Sequence, residues 1–334
     1  MKLINKITIF FSVIGLSWGM ASCDTEVENL PVQKPYTYSD RYYENLRDYK
    51  KSDHAVSFMW FADYSATHSM GLHFLGLPDS LDICSLWGGI PSNVKDKPNT
   101  FYNPKVHEEM RFCQQVKGMR LTYVTIPNTN GDWAKEFMAL PEEERIPALG
   151  DHFLKIIYDN DLNGIDLDYE IDGCWLHGDP FVRLIEYLGQ QIGPKGKDSS
   201  KLLIVDGWPI NGGYEYLSYF VSQAYASSGA SDLQNRFNQV YSHGLNPERF
   251  IVTENIGDYY ATGGTAFTEA DGNTLSGWGL GDQRLYSLEG MARWNPTQGR
   301  KGGFGAFYGQ RDYGSNPPYK WFRYGIQCAN PSVK

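Results

Sequence analysis

The chain lacks a basic face. Its 334 residues carry 30 Lys and Arg against 39 Asp and Glu, a net charge of −9. A nucleic-acid partner needs clustered positive charge, so none is expected. Zinc-type spacing is missing too. The five cysteines, Cys23, Cys84, Cys113, Cys174 and Cys328, form no C-x-x-C and no Cys/His pair at ligand distance. The 7 histidines show no ligand-like intervals. There is no G-x-x-x-x-G-K loop to cradle a phosphate. The apolar run at 7–18 is too short to span a bilayer comfortably. No internal repeat, low-complexity tract or second domain boundary is visible, and no run of like charge is long enough for a disordered tail. Neither a metal nor another cofactor is expected.

The ends of the chain have their own character. Residues 1–22 read as an export signal, with Lys2 and Lys6 ahead of the apolar run. Met20-Ala21-Ser22-Cys23 resembles a bacterial lipobox. That resemblance implies cleavage before Cys23 and lipidation of it, with an ordinary secretory signal as the alternative. The acidic residues that follow, Asp24, Glu26 and Glu28, point to the outer surface of a Gram-negative cell. Membrane contact is then through the lipid anchor alone. Residues 23–50 are read as a lipidated tether, with Pro31 and Pro35 in its first part. Residues 51–334 are read as one domain, expected to act as a monomer. The four cysteines other than Cys23 are either free or paired.

What the chain has in quantity is aromatic residues, 15% of the total with 23 Tyr and 9 Trp. Such rings stack on sugars, but they also fill ordinary cores. A sharper signal lies at 163–170, Asn-Gly-Ile-Asp-Leu-Asp-Tyr-Glu. Asp166, Asp168 and Glu170 alternate with Ile165, Leu167 and Tyr169. In a strand, alternate residues share a face, their Cα atoms about 6–7 Å apart. Three acids on one buried face repel each other and lose hydration. One of them can then stay protonated near neutral pH.

Around this stretch the chain alternates strand and helix patterns. Strands are predicted at 55–61, 81–87, 119–126, 163–170, 201–206, 219–225, 250–254 and 303–308. Helices are predicted at about 104–118, 142–159, 181–192, 230–242 and 282–293. Eight strands with helical crossovers predict an α/β fold, a single (β/α)8 TIM barrel with βα-loop insertions, with a doubly wound open sheet as its rival. Active sites in such barrels lie at the C-terminal strand ends. Those ends offer Trp87, Asn128, Glu170, Asp206, Trp208, Gln223, Tyr225, Glu254, Asn255, Tyr308 and Gln310. Carboxylates, amides and rings suit glycoside chemistry better than metal hydrolysis or phosphoryl transfer.

The octapeptide resembles the D-G-x-D-x-D-x-E signature of family 18 glycoside hydrolases, the chitinases and endo-β-N-acetylglucosaminidases. Asn163 departs from its first Asp, and the other positions match. Gln223-Ala224-Tyr225 is similar to the Gln-x-Tyr of the endoglycosidase branch. Looser similarity runs over about 50–325, and is greatest to short lipoprotein members from glycan-foraging bacteria. The resemblance implies a retaining, substrate-assisted reaction through an oxazolinium ion. It casts Glu170 as acid and base, and Asp168 as the residue that orients the acetamido group. Asp166 would share a proton or hydrogen bond with Asp168 and tune its charge state, and Tyr225 would donate to the acetamido oxygen. Gln223, Trp87, Asn128, Trp208, Asn255 and Tyr308 would bind substrate. The implied partner is an N-glycan or another oligosaccharide containing N-acetylglucosamine. An endo-β-N-acetylglucosaminidase is expected to cut the chitobiose core. A chitinase and a catalytically silent glycan-binding barrel stay open.

Overall fold

The computed structural model of the chain describes residues 38–64, 68–127, 132–170, 176–278 and 283–331. The expected signal, Cys23 and Asn128 lie outside the described residues. Strand β1 is Val56–Phe61 and β2 is Ile83–Leu86. A small parallel pair follows, β3 (Pro91–Ser92) with β4 (Phe101–Tyr102). Then come β5 (Arg120–Thr125), β6 (Gly164–Tyr169), β7 (Leu202–Gly207), β8 (Tyr219–Gln223), β9 (Phe250–Asn255) and β10 (Gly303–Phe307). All but the small pair form one parallel barrel, closed where β10 pairs with β1. Closure leaves no sheet edge and rules out the open-sheet alternative.

Strand parity decides what faces where. Val56, Phe58, Trp60, Ile83, Leu202, Ile204, Val221 and Ile251 pack together inside the barrel. Their neighbours Met59, Phe61, Cys84, Leu86, Leu203, Val205, Phe220 and Val252 pack outward in the larger core shared with the helices. Ile165, Leu167 and Tyr169 belong to that outer core. Asp166 and Asp168 therefore point inward, by the two-residue period of the strand. Gly164 opens β6 at φ 155°, where a Cβ would meet the Leu202 carbonyl oxygen at 2.1 Å. Only glycine fits that close approach. Asn163, just before it, accepts at Oδ1 from the Leu121 backbone N–H and the Gln114 amide, each at 2.9 Å. An amide oxygen accepts those bonds as a carboxylate would, so the departure from the family motif keeps its structural use.

Helices occupy most connections. Pro104–Gln115 begins with Pro104 and a cap from Asn103, and Glu142–Asp159 carries three Glu in its first turn. The expected helix at 181–192 spans Asp179–Gly189, and that at 230–242 spans Ala230–Tyr241. The one expected from 282 begins at Ser287. The β1–β2 and β7–β8 connections carry only 3-10 turns among the described residues.

Two helices depart from expectation. Residues 40–50 are not tether, because Asp40–Lys51 is a helix capped by Ser39. It buries only Tyr43 and Leu46, too narrow an apolar stripe to stand out in a charged segment. Tyr43 meets Phe112 edge-on, and Arg47 and Lys50 donate to the carbonyls of Val116 and Leu81. The helix thereby braces the N-terminal side of the barrel. A final helix, Lys320–Ala329, buries Phe322, Gly325 and Ile326 against the barrel wall. Cys84, Cys113 and Cys328 are free thiols.

Candidate active site

Asp166 lies deepest and is fully buried. Its Oδ2 accepts from Trp60 Nε1 at 2.9 Å and from Ser85 Oγ at 2.6 Å. Both donors are inward residues of β1 and β2. One pleat nearer the mouth, Asp168 is 1% exposed and sits in register with Asp206 on β7. Gln223, at the end of β8, donates from Nε2 to Asp206 Oδ2 at 2.7 Å and to Asp168 Oδ1 at 3.3 Å. Asp206 is also within hydrogen-bonding reach of both Asp166 and Asp168. Glu170 follows the last residue of β6 and is half-buried.

Burial is the main cause of the electrostatics here. It raises the Asp166 carboxyl to about 6, against the bonds from Ser85, Asp206 and Trp60. Asp168 is raised to about 7 by burial, and further by the charges of Glu170 and Asp166. Asp206 is pushed up strongly by burial, then by Asp166 and Asp168. Tyr225 lies just past β8 and feels all four acids, which together with its burial hold its hydroxyl protonated as a donor. The strand expected to reach residue 225 ends at Gln223, because the chain turns there and Ala226 adopts φ 56°.

The cluster adds one acid to the expected set, Asp206, which is in hydrogen-bonding reach of both Asp166 and Asp168. Its position at an inward end of β7 marked it as a strand-end residue, yet only cross-strand register shows which acid it faces. Phe307 likewise depends on the pleat. The expected ring was Tyr308, but parity turns Phe307 inward and Tyr308 takes φ 49°. Phe307 meets Trp60 at 6.0 Å, Trp87 at 5.4 Å and Tyr225 at 5.9 Å between ring centroids. It forms the aromatic wall opposite the acids, with Trp87 half-buried against its edge. Trp60 and Ser85 join the site as donors that spacing along one strand does not reveal.

The remaining expected residues divide. Gln223 is held by the acids themselves. Trp208 is 55% exposed and, with Pro209, Gln223, Asn235 and Arg236, lines a cavity of about 450 Å³ beside the mouth. Asn255 is occupied in capping the helix Ile256–Tyr259, accepting from Asp258 N–H at 3.2 Å and donating to its carboxylate at 2.9 Å.

Chemically, the site offers one accessible carboxyl at the rim, a partly protonated carboxylate behind it and a phenol donor two strands away. That set suits proton transfer to a leaving oxygen beside a developing positive charge.

The family described as Glycoside hydrolase family 18, BT1044-like, matches residues 23–126 and 175–328. The gap between these segments contains the acid strand. The endo-beta-N-acetylglucosaminidase EndoS of Streptococcus pyogenes serotype M1 is 26% identical over 197 residues, 49% of this chain. The chain spans only 20% of the length of that curated relative. A solved variant of BT1044 superposes with TM-score 0.71 at 22% identity, covering 87% of this chain and 93% of its own. The endo-beta-N-acetylglucosaminidase from Cordyceps militaris gives 0.58 at 20% identity, covering 89% and 98%. A chitinase from Pseudoalteromonas aurantia gives 0.52 at 12%, covering 82% and 99%. At such identities the solved structures speak to the fold. The family match covers most of the chain, and the chain belongs to glycoside hydrolase family 18, BT1044-like.

Proposed function

We propose that this protein is an endo-β-N-acetylglucosaminidase that cuts the chitobiose core of N-linked glycans with retention. The observation that carries the reading is the pairing of rim and interior acids. Glu170 stands half-buried at the end of β6, while Asp168 is buried one pleat behind it with its carboxyl raised to about 7. One acid is thus placed to exchange a proton with solvent and substrate, and the other to meet positive charge.

In the first step the acetamido carbonyl oxygen of the sugar attacks its own anomeric carbon. The bond to the leaving oxygen breaks, its electron pair stays on that oxygen, and Glu170 supplies the proton. Asp168 holds the acetamido nitrogen and balances the oxazolinium charge. The Tyr225 hydroxyl donates to the acetamido oxygen and keeps it in line. In the second step water attacks the anomeric carbon and gives its proton to the Glu170 carboxylate. The oxazolinium ring opens and the configuration is retained.

The EndoS match and the Gln223-x-Tyr225 pair favour the endoglycosidase branch over a chitinase. Anchoring through Cys23 at the cell surface is part of the same proposal, supported by residues 20–28 alone. A thiazoline mimic of the oxazolinium ion tests the mechanism. The soluble protein that begins after Cys23 should be inhibited competitively on a glycoprotein substrate. Activity that persists at saturating thiazoline contradicts substrate assistance. Chitin oligomers run in parallel should be poorer substrates than N-glycans, and the reverse order would make the protein a chitinase.

A further inference from the structure

We propose that Asp206 is a positioning residue that keeps one proton inside the barrel, donated from its Oδ1 to Oδ1 of Asp166, so that Asp168 works beside a neutral acid. The role extends the hydrolase reading, and its kinetic consequences rest on it.

Two buried oxygen atoms of the cluster have no ordinary partner. Asp166 Oδ2 already accepts from Trp60 and Ser85, and Asp206 Oδ2 accepts from Gln223. The other oxygen of each, Asp166 Oδ1 and Asp206 Oδ1, is buried with no donor directed at it. A buried oxygen without a partner is costly. The two carboxyls are close enough to hydrogen-bond each other, and with both Oδ2 atoms already engaged, the unpartnered Oδ1 atoms are the ones left to share a proton.

The surroundings decide which acid holds it. Asp166 would then accept three donated bonds, from an indole N–H, a hydroxyl and Asp206, an environment that stabilises a carboxylate. Asp206 has only the Gln223 amide as a donor. Facing Asp206 are Asp166 and Asp168 from β6, with Glu170 beyond them. Gln223 and Tyr225 face it from β8. No cation is among these groups, so a charge on Asp206 would meet the acids of β6 with only the Gln223 amide bonded to it in compensation. Asp166 is therefore the fixed anion and Asp206 the neutral donor. Asp168 can ionise because its register neighbour is uncharged.

The test labels aspartate carboxyl carbons with 13C in the whole folded protein and follows them by NMR from about pH 5 to pH 9. Asp206→Asn and Asp166→Asn assign the two signals without any substrate. The signal lost in Asp206→Asn should be that of a protonated acid at neutral pH. The signal lost in Asp166→Asn should be that of a carboxylate. A carboxylate signal for Asp206 at neutral pH overturns the proposal. Kinetics give a second reading. Asn keeps a donor for Asp166 and an acceptor for Gln223, so Asp206→Asn should lose about tenfold or less in kcat, whereas Asp206→Ala should lose about a hundredfold. The alkaline limb of the Asp206→Asn profile should also move to higher pH. Asn proving as damaging as Ala contradicts the proposal. Failure of the unaltered protein to hydrolyse any glycan would refute the hydrolase reading, while the NMR result would still decide the proton's place.

Discussion

Asp168 and Glu254 are both acids buried near the barrel mouth, and they are held in opposite ways. Glu254 is 0% exposed and, by the parity of β9, turns outward. Its Oε1 accepts from the backbone N–H groups of Ala226 at 2.9 Å and Asn255 at 2.7 Å, and its Oε2 from the Ser287 hydroxyl. Every partner is a donor, and the carboxylate fastens the helix Ser287–Arg293 to the ends of β8 and β9. Asp168 turns inward, where its neighbours are Asp166, Asp206 and Glu170, with one amide at 3.3 Å. Burial is common to both. What separates a structural acid from a chemical one here is whether its partners complement its charge.

The comparison can be broken at several points. The largest effect should come from Glu170→Gln, which removes the transferable proton. It should cut kcat by about 10²–10⁴-fold or more, read as glycan release over time, with thermal unfolding unchanged. Asp168→Asn should follow, with about a 10²-fold loss in kcat from weaker stabilisation of positive charge. Yet it should make the fold more stable. The Asp168 carboxyl is raised in the fold from 3.8 to about 7. Between those values the folded protein holds a proton that the unfolded chain has released. Its contribution to stability is full below about pH 4 and is lost as pH rises through about 7. Asp168→Asn should therefore raise the melting temperature more at about pH 8 than at about pH 5. The same titration should put the acid limb of kcat/KM near 7 in the unaltered protein.

Glu254→Gln should do the reverse. It sets an amide N–H₂ against at least one donor and should cost about 1–3 kcal/mol, seen as a lower melting temperature with kcat changed less than about tenfold. A large kcat loss there, with stability intact, would erase the distinction. The smallest effect should be that of Asn255→Ala. Loss of its cap should cost about 1 kcal/mol and leave KM unchanged. A clear rise in KM would make Asn255 a substrate contact instead.

Much of this is legible in the amino-acid sequence. Alternation of apolar residues located all eight barrel strands and put Asp166, Asp168 and Glu170 on one face. The family motif then assigned their roles. What stayed hidden depends on register between strands. Asp206 faces Asp168 only because β6 and β7 pair as Asp168 with Asp206, and no spacing along one strand reports that. Phe307 and Tyr308 are adjacent aromatics, and only the pleat decides which lines the mouth. Trp60 reads as core, which it is, but its indole N–H also holds Asp166. The helix Asp40–Lys51 escaped notice because two buried residues and cation-to-carbonyl bonds attach it, without a broad apolar stripe.

The central claim is that Glu170 drives cleavage between the two core N-acetylglucosamines. Intact-mass spectrometry of a glycoprotein treated with the unaltered protein and with Glu170→Gln measures this directly. The account predicts glycoprotein bearing a single N-acetylglucosamine at each cleaved site with the former, and untouched glycans with the latter. An unchanged glycoprotein mass in both reactions, or equal release by the Glu170→Gln protein, would contradict it.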